Sequence, residues 1–371
     1  MAADPGAVAV LDEQGRVRPT AAAEPYADRA LAVTTDDKLR FLADMVTTRA
    51  FDVAAANLQR QGHLALWVSS YGQEAAQVGS ARALRPQDTV FPAYREHAVG
   101  MIRGLDPLAI VRLLRGVAHG TWDPAANGNF QQYCLVLGSQ TLHATGYAMG
   151  VQFDGTTATG DPERDEAVIV YLGDGATSQG DSNEALVFAA SYATPQVFFI
   201  QNNHWAISVP VERQSRVPLA QRASGFGMPG VRVDGNDVLA SFAVTGSMLD
   251  RARSGGGPGL IEALTYRISG HSSSDDPTKY RAEDELQRWT ERDPILRLRR
   301  HLEAEGVGAE VFDRLDAEAA DLAADVRRRT LELTEPPAAS MFEHVYAEPH
   351  PLMEAQLRWL EQYEASFGGG R

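Results

Sequence analysis

Four short apolar runs punctuate the middle of the chain: Ala167–Leu172, Val197–Ile200, Val231–Val233 and Leu260–Leu264. Each is continuous rather than alternating, as in a strand covered on both faces in a parallel sheet. The intervening segments leave room for crossover helices, Ser182–Ala193 among them. The pattern predicts an α/β fold: a doubly wound, mostly parallel sheet with helices on both faces and ligands beyond the strands' C-terminal ends.

Helical signals flank this region. Thr34 to Asp37 reads as a capping box, Leu39, Leu42, Val46 and Val53 fall near helical spacing, and Gly62 is placed to close the helix. Pro294 marks a helix start before the charged run Ile295–Glu305, and Met353–Phe367 is a last amphipathic stretch. Residues 1–33, rich in Ala, Pro and Asp, read as an extended arm lying on the body or on a partner. The expected division is an N-terminal arm over 1–33, a main domain over 34–305 and a helical C-terminal extension over 306–371.

Composition narrows the classes. With 44% hydrophobic and 22% charged residues the chain reads as an ordinary folded protein. Its net charge of −15 would repel a polyanion, so nucleic acid is excluded as a partner. The single cysteine, Cys134, cannot form an internal disulfide and reads as packing. No run approaches the roughly 18 apolar residues of a membrane span, and the N-terminus has no basic and apolar signal pattern, so a cytoplasmic protein is expected.

The chemistry concentrates at two strand ends. Val168 to Gly175 reads Val-Ile-Val-Tyr-Leu-Gly-Asp-Gly: an apolar strand delivering Asp174 between two glycines just before a helix. Gly173 and Gly175 permit close backbone approach and unusual dihedrals. A helix N-terminus offers free N–H groups, and Asp174 suits a hard cation bridging phosphate oxygens. A second strand ends in Gln201-Asn202-Asn203-His204-Trp205, supplying carboxamide and carbonyl oxygens. Asp174 and Asn203 lie 203 − 174 = 29 residues apart, about one βαβ unit, which places both at the same edge of adjacent parallel strands. Alone, Gly-Asp-Gly is more often a tight turn and Asn-Asn a loop; at this spacing after two apolar strands, the pair points to a diphosphate-metal site.

These two halves resemble the signature of thiamine-diphosphate enzymes. Gly72-Gln-Glu-Ala75, Tyr94-Arg-Glu-His97 after Phe91-Pro92, and Thr265–Asp276 with Tyr280-Arg281 are similar to the α subunits of branched-chain 2-oxo acid and pyruvate dehydrogenases, the decarboxylating components of 2-oxo acid dehydrogenase complexes. The resemblance runs from about Thr35 to Leu298. It implies thiamine diphosphate and Mg²⁺ as cofactors, with Asp174, Asn203 and the main-chain oxygen of Trp205 as metal ligands. Gly175, Ala176 and Ile207 match cofactor contacts, and Tyr94, Arg95 and Arg267 match positions around the diphosphate. Ser139 and Thr141 match positions near the cofactor's rings. His271 matches the family's active-site histidine, implying a catalytic role in positioning the bound intermediate and the lipoyl group, as well as a cofactor contact.

Departures limit what carries over. Leu137–Ala144 differs from the mitochondrial branched-chain pattern, so no monovalent-cation site is inferred. Gln201 stands where relatives carry a basic residue near the diphosphate. Ser272 matches a position phosphorylated in mitochondrial relatives, and here it is expected to be unmodified.

The resemblance implies oxidative decarboxylation of a 2-oxo acid and reductive acylation of lipoyl groups on an acyltransferase core. It also implies a β subunit supplying the glutamate that faces the aminopyrimidine, in an α₂β₂ heterotetramer. A branched-chain substrate is favoured by Gly138–Gly146 and Asp275-Asp276; pyruvate is the alternative, with acetoin dehydrogenase a third. A Rossmann oxidoreductase lacks its Gly-x-Gly-x-x-Gly turn here. A non-catalytic scaffold of the same fold would be expected to have lost Asp174, Asn203 or Arg95, and all three are present.

Overall fold

The computed structural model describes residues 6–118 and 121–367. The first five residues of the expected arm and the last four of the expected extension lie outside the described residues. Among the described residues seven strands occur in chain order: β1 (Thr89–Phe91), β2 (Val168–Gly173), β3 (Gln196–Asn202), β4 (Trp205–Ala206), β5 (Val209–Pro210), β6 (Gly230–Asp234) and β7 (Gly259–Leu264). Five form one sheet in the order β1-β2-β3-β7-β6, every pairing parallel, and β4 with β5 makes a small antiparallel ribbon. The four apolar runs are thus β2, β3, β6 and β7.

Both faces of the sheet are covered, which is why the runs are continuous. One core gathers Ile169, Tyr171, Val197, Phe199, Ile261 and Ala263 with residues of helices Thr35–Arg60, Glu74–Arg82 and Val238–Arg253. The other gathers Val168, Val170, Leu172, Phe198, Ile200 and Leu260 with Ala144 and Ala148 of helix Ser139–Phe153 and Ala185 and Ala189 of helix Gly180–Tyr192. Alternate residues of a strand point to opposite faces, so a strand buried on both must be apolar throughout.

The first long helix starts as its sequence predicts. Thr34 Oγ1 accepts from the Asp37 amide at 3.1 Å, and Gly62 follows the last turn at φ +80°. Leu42 and Val46 are buried, but Val53 is 46% exposed. The buried stripe continues through Phe51, Ala55 and Leu58 instead, drifting with the 3.6-residue turn.

The N-terminal segment is not wholly extended. Val8 bridges Val233 in parallel, covering the open edge of β6, while Ala21–Tyr26 and Ala27–Leu31 are short helical turns that bury Ala23 and Ala30. Its anchor is Asp237. The fully buried carboxylate accepts from the amides of Val10 and Leu11, both at 2.7 Å, and caps helix Val238–Arg253 through the amides of Leu239 at 3.0 Å and Ala240 at 3.2 Å. Asp237→Ala leaves these donors without their acceptor, at about 1–3 kcal/mol per buried group and about 1 kcal/mol for the cap. A loss of about 3–5 kcal/mol is expected, read by chemical denaturation, with limited proteolysis cutting residues 6–20 under conditions where the unmodified chain stays whole. An arm still protected in the variant contradicts this anchoring.

Candidate functional site

The site grows from the ends of β2, β3 and β7. Gly173 pairs with Gln201 and Asn202 with Leu264, so the residues just beyond these ends share one edge. Asp174 opens a turn of 3-10 helix, Asp174–Ser178, ahead of helix Gly180–Tyr192. The glycines beside it do not adopt unusual dihedrals: Gly173 is extended at φ −78°, and neither has positive φ. What Gly175 provides is space, since a Cβ there would lie 2.7 Å from Ala206 Cβ.

Asp174 is 1% exposed, and burial pushes its carboxyl up to about 6, against the pull of a 2.8 Å hydrogen bond from Gln214 Nε2 to Oδ2. Asn203 Oδ1 accepts from the Trp205 amide at 3.2 Å, and its Nδ2 donates to Gln73 Oε1 at 3.4 Å. Arg267 is fully buried and binds backbone oxygens on the ribbon, donating to Trp205 O at 3.1 Å and Ile207 O at 2.7 Å. His204 and Ile207 hold φ +71° and +55°. Positive φ is costly for a β-branched residue, about 1–3 kcal/mol, and such strain gathers at functional sites.

Arg95 closes another side. Its guanidinium donates to Ser69 O and, at 2.9 Å, to His271 O. The His271 amide donates to the Asp275 carboxylate at 2.7 Å, and the Tyr280 hydroxyl donates to the same group. The ring of Tyr94 meets His271 edge-on at 6.4 Å. Burial first, then the positive charges of Arg95 and Arg267, hold His271 down at about 4, so its ring is neutral at physiological pH.

These groups enclose a cavity of about 240 Å³. Of the sequence-predicted residues, Tyr94, Arg95, Asp174, Gly175, Ala176, Asn203, Trp205, Ile207, Arg267 and His271 line it. Ser139 and Thr141 do not. Their hydroxyls bond to Val136 O and Gly138 O at the start of helix Ser139–Phe153, while Leu137 reaches the cavity wall. A larger groove of about 650 Å³ between helices Thr35–Arg60 and Ala309–Leu331 contains none of the predicted residues.

Sequence reasoning assigned no role to three lining or supporting groups, Glu96, Gln73 and Gln214. Glu96 is buried and accepts from Gln201 Nε2 at 2.5 Å; Gln201 Oε1 in turn accepts from Gln77 Nε2 at 3.0 Å. Gln201, which stands where relatives carry a base, is thus tied between a buried carboxyl and a second glutamine. Gln73 and Gln214 are the others, and a neutral side chain bonded across many residues leaves no local signal.

The residues fit a metal-bound diphosphate on two observations. Gln73 Nε2 and Arg267 Nε are buried with no hydrogen-bond partner, and both residues line the cavity. Buried donors are normally satisfied, so an acceptor from a bound group suits them. A carboxylate, a carboxamide oxygen and a carbonyl make a hard oxygen set, suited to Mg²⁺, and the described residues contain no cluster of three His, Cys, Asp or Glu side chains that could hold a metal.

A match to the dehydrogenase E1 component family covers residues 43–332. The chain belongs to that family. It is similar to the 3-methyl-2-oxobutanoate dehydrogenase subunit alpha of Mycobacterium tuberculosis (strain CDC 1551 / Oshkosh), 44% identical over 88% of this chain and 87% of the relative. It is also similar to the pyruvate dehydrogenase E1 component subunit alpha of Staphylococcus aureus (strain Mu50 / ATCC 700699), 37% identical over 81% of this chain and 77% of that one. The Staphylococcus epidermidis subunit of the same name is 36% identical over the same shares. As a member of the E1 family the chain is an oxidoreductase subunit of thiamine-diphosphate-dependent type. Among its described residues no helix is long and apolar enough to cross a membrane.

A neutral His271 is directly measurable. In NMR spectra of the ring-labelled protein its signal is expected to stay flat from pH 8 to about pH 5 and to titrate near 4. Arg95→Met, which removes a neighbouring positive charge, should move the midpoint upward. A midpoint near 6.5 in the unmodified protein contradicts the described environment.

Proposed function

We propose that this chain is the α subunit of a branched-chain 2-oxo acid dehydrogenase, acting on 3-methyl-2-oxobutanoate and its homologues with thiamine diphosphate and Mg²⁺. The observation that supports this reading is that Asp174, Asn203 and Trp205, which offer a hard oxygen set, line one cavity with Arg267 and Gln73, whose Nε and Nε2 are buried without a hydrogen-bond partner. The 44% identity to the mycobacterial subunit favours the branched-chain substrate; pyruvate, the substrate in the name of the 37% relative, is the second reading.

When bound, thiamine diphosphate supplies a nucleophilic carbon and an electron sink for expulsion of CO₂. The chain's own residues orient and screen. Asp174, the Asn203 carboxamide and the Trp205 carbonyl would hold Mg²⁺, and Arg95 and Arg267 place positive charge where a diphosphate would lie. Ser139 and Thr141 sit at the mouth of the helix where the cofactor's rings would enter, outside the present cavity wall. Leu137, Trp205 and Ile207 give the cavity part of its apolar wall. His271, held neutral, is able to accept or donate a hydrogen bond at the substrate oxygen or at an incoming lipoyl group, without carrying a competing charge.

The diphosphate site is one half of an active centre. A β subunit is proposed to supply the other half in an α₂β₂ assembly, with a lipoyl-bearing acyltransferase core as acceptor, in the cytoplasm. The cofactor-binding domain is assigned to 34–305, with the arm over 1–33 and the helical extension over 306–371.

Co-purified with its β subunit and assayed with an artificial electron acceptor, the protein should oxidise 3-methyl-2-oxobutanoate in preference to pyruvate, only with thiamine diphosphate and Mg²⁺. Asp174→Ala should lower activity at least about 100-fold, because it removes a metal ligand whose mere supporting groups are worth about 10–100-fold. A preference for pyruvate replaces the substrate assignment, and activity untouched by Asp174→Ala overturns the site.

A further inference from the structure

Each side chain assigned to the metal is hydrogen-bonded to a glutamine. Gln214, on the short helix Val211–Gln214, donates from Nε2 to Asp174 Oδ2 at 2.8 Å. Gln73, 1% exposed at the start of helix Glu74–Arg82, accepts from Asn203 Nδ2 through Oε1 at 3.4 Å. With Oδ2 engaged by Gln214, Asp174 has Oδ1 to offer a cation. The Trp205 amide, donating to Oδ1, fixes which end of the Asn203 amide is oxygen, and Nδ2 turns to Gln73.

Gln214 is itself anchored. The Gln214 carbonyl accepts from Arg222 Nη2 at 3.1 Å, Arg222 Nη1 donates to Thr177 O at 3.1 Å, and Thr177 Oγ1 donates to Asp174 O at 2.6 Å. The ring returns to the residue it began on, so the segment after the ribbon is locked to the turn bearing the carboxylate. Gln73 differs in one respect. Its Nε2 is buried, has no partner, and belongs to a residue lining the cavity. A buried N–H group left without an acceptor costs about 1–3 kcal/mol, and an anionic oxygen entering the cavity would relieve it.

From this geometry we infer that Gln214 and Gln73 are positioning residues of the metal-diphosphate site, and that Gln73 also donates directly to a diphosphate or metal-bound water oxygen. Gln214 acts on the cation alone, through Asp174. Gln73 acts on both the cation, through Asn203, and the anion, through Nε2. Groups that orient metal ligands typically change metal affinity by about 10–100-fold when removed. The inference rests on the thiamine-diphosphate reading of the site.

The test uses the α/β assembly carrying Gln214→Leu or Gln73→Leu and follows quenching of Trp205 fluorescence, since Trp205 lines the cavity. Mg²⁺ is titrated at saturating thiamine diphosphate, then thiamine diphosphate at saturating Mg²⁺. Both variants are expected to need about 10–100-fold more Mg²⁺ for half-saturation, and Gln214→Leu, which touches neither ligand, keeps kcat at saturating Mg²⁺ within about twofold of the unmodified enzyme. Only Gln73→Leu is expected to weaken thiamine diphosphate binding at saturating Mg²⁺, by about tenfold, the size of one lost hydrogen bond to a charged group. A general structural role would instead lower the melting temperature of the ligand-free assembly and depress kcat at every Mg²⁺ concentration, and that pattern overturns the inference. So does an unchanged Mg²⁺ requirement in both variants. If Gln73→Leu does not assemble, Gln214→Leu decides by the same split. An unmodified assembly that binds neither ligand contradicts the cofactor reading itself, a result distinct from a failure of the glutamines.

Discussion

The in-register parallel pairing of β2, β3 and β7 is the constraint on which the site depends. Because Gly173 faces Gln201 and Asn202 faces Leu264, the chain leaves all three strands at one edge, and Asp174, Asn203 and Arg267 meet there although 93 positions (267 − 174) separate the first from the last. A one-residue slip would invert every side chain between the two cores. The continuous burial of β2 and β3 forbids that slip energetically, so the packing that makes the sheet stable also fixes the edge at which the chemistry occurs. In the order β1-β2-β3-β7-β6 the chain steps outward from β1 to β3, passes to β6 at the far edge and returns to β7 beside β3, and the site lies beyond the C-terminal ends of these strands, where open α/β sheets bind their ligands.

Electrostatics at this edge is arranged around a charge the protein does not itself supply. Asp174 is buried beside a neutral carboxamide, His271 is kept neutral by burial and by two arginines, and Arg267 spends its donors on backbone oxygens while leaving Nε unpartnered. Burying an uncompensated carboxylate is costly, and so is leaving a buried guanidinium nitrogen without an acceptor. A dication and a diphosphate entering together would satisfy both. The strained backbone at His204 and Ile207, which aims the ribbon's carbonyls at Arg267, is a further cost consistent with a site shaped for binding rather than for stability.

The sequence disclosed what local pattern encodes. Continuous apolar runs gave the sheet, the Thr34 cap and Gly62 gave the ends of the first long helix, and the spacing of Asp174 and Asn203 placed them on one edge. What escaped was set by contacts distant in sequence. Gln73 and Asn203 are 130 residues apart and Gln214 and Asp174 are 40 apart, and neither glutamine bears a charge or stands in a motif with a mechanism of its own. The short helices of the N-terminal segment and the exposure of Val53 were decided by packing against elements that pattern alone does not locate. Ser139 and Thr141 were predicted beside the cofactor, yet their hydroxyls donate to the carbonyls of Val136 and Gly138 at the start of helix Ser139–Phe153, and neither residue lines the cavity.

Asp174, Asn203 and the Trp205 carbonyl are the groups that would hold a divalent cation beside the diphosphate. Crystals of the α/β assembly grown with thiamine diphosphate and Mn²⁺ in place of Mg²⁺ test this most directly through the anomalous signal of the metal. The account predicts one strong peak within roughly 2.0–2.6 Å of an Asp174 carboxylate oxygen, Asn203 Oδ1 and Trp205 O. A peak coordinated elsewhere, or a bound cofactor whose diphosphate lies away from these oxygens, would contradict it.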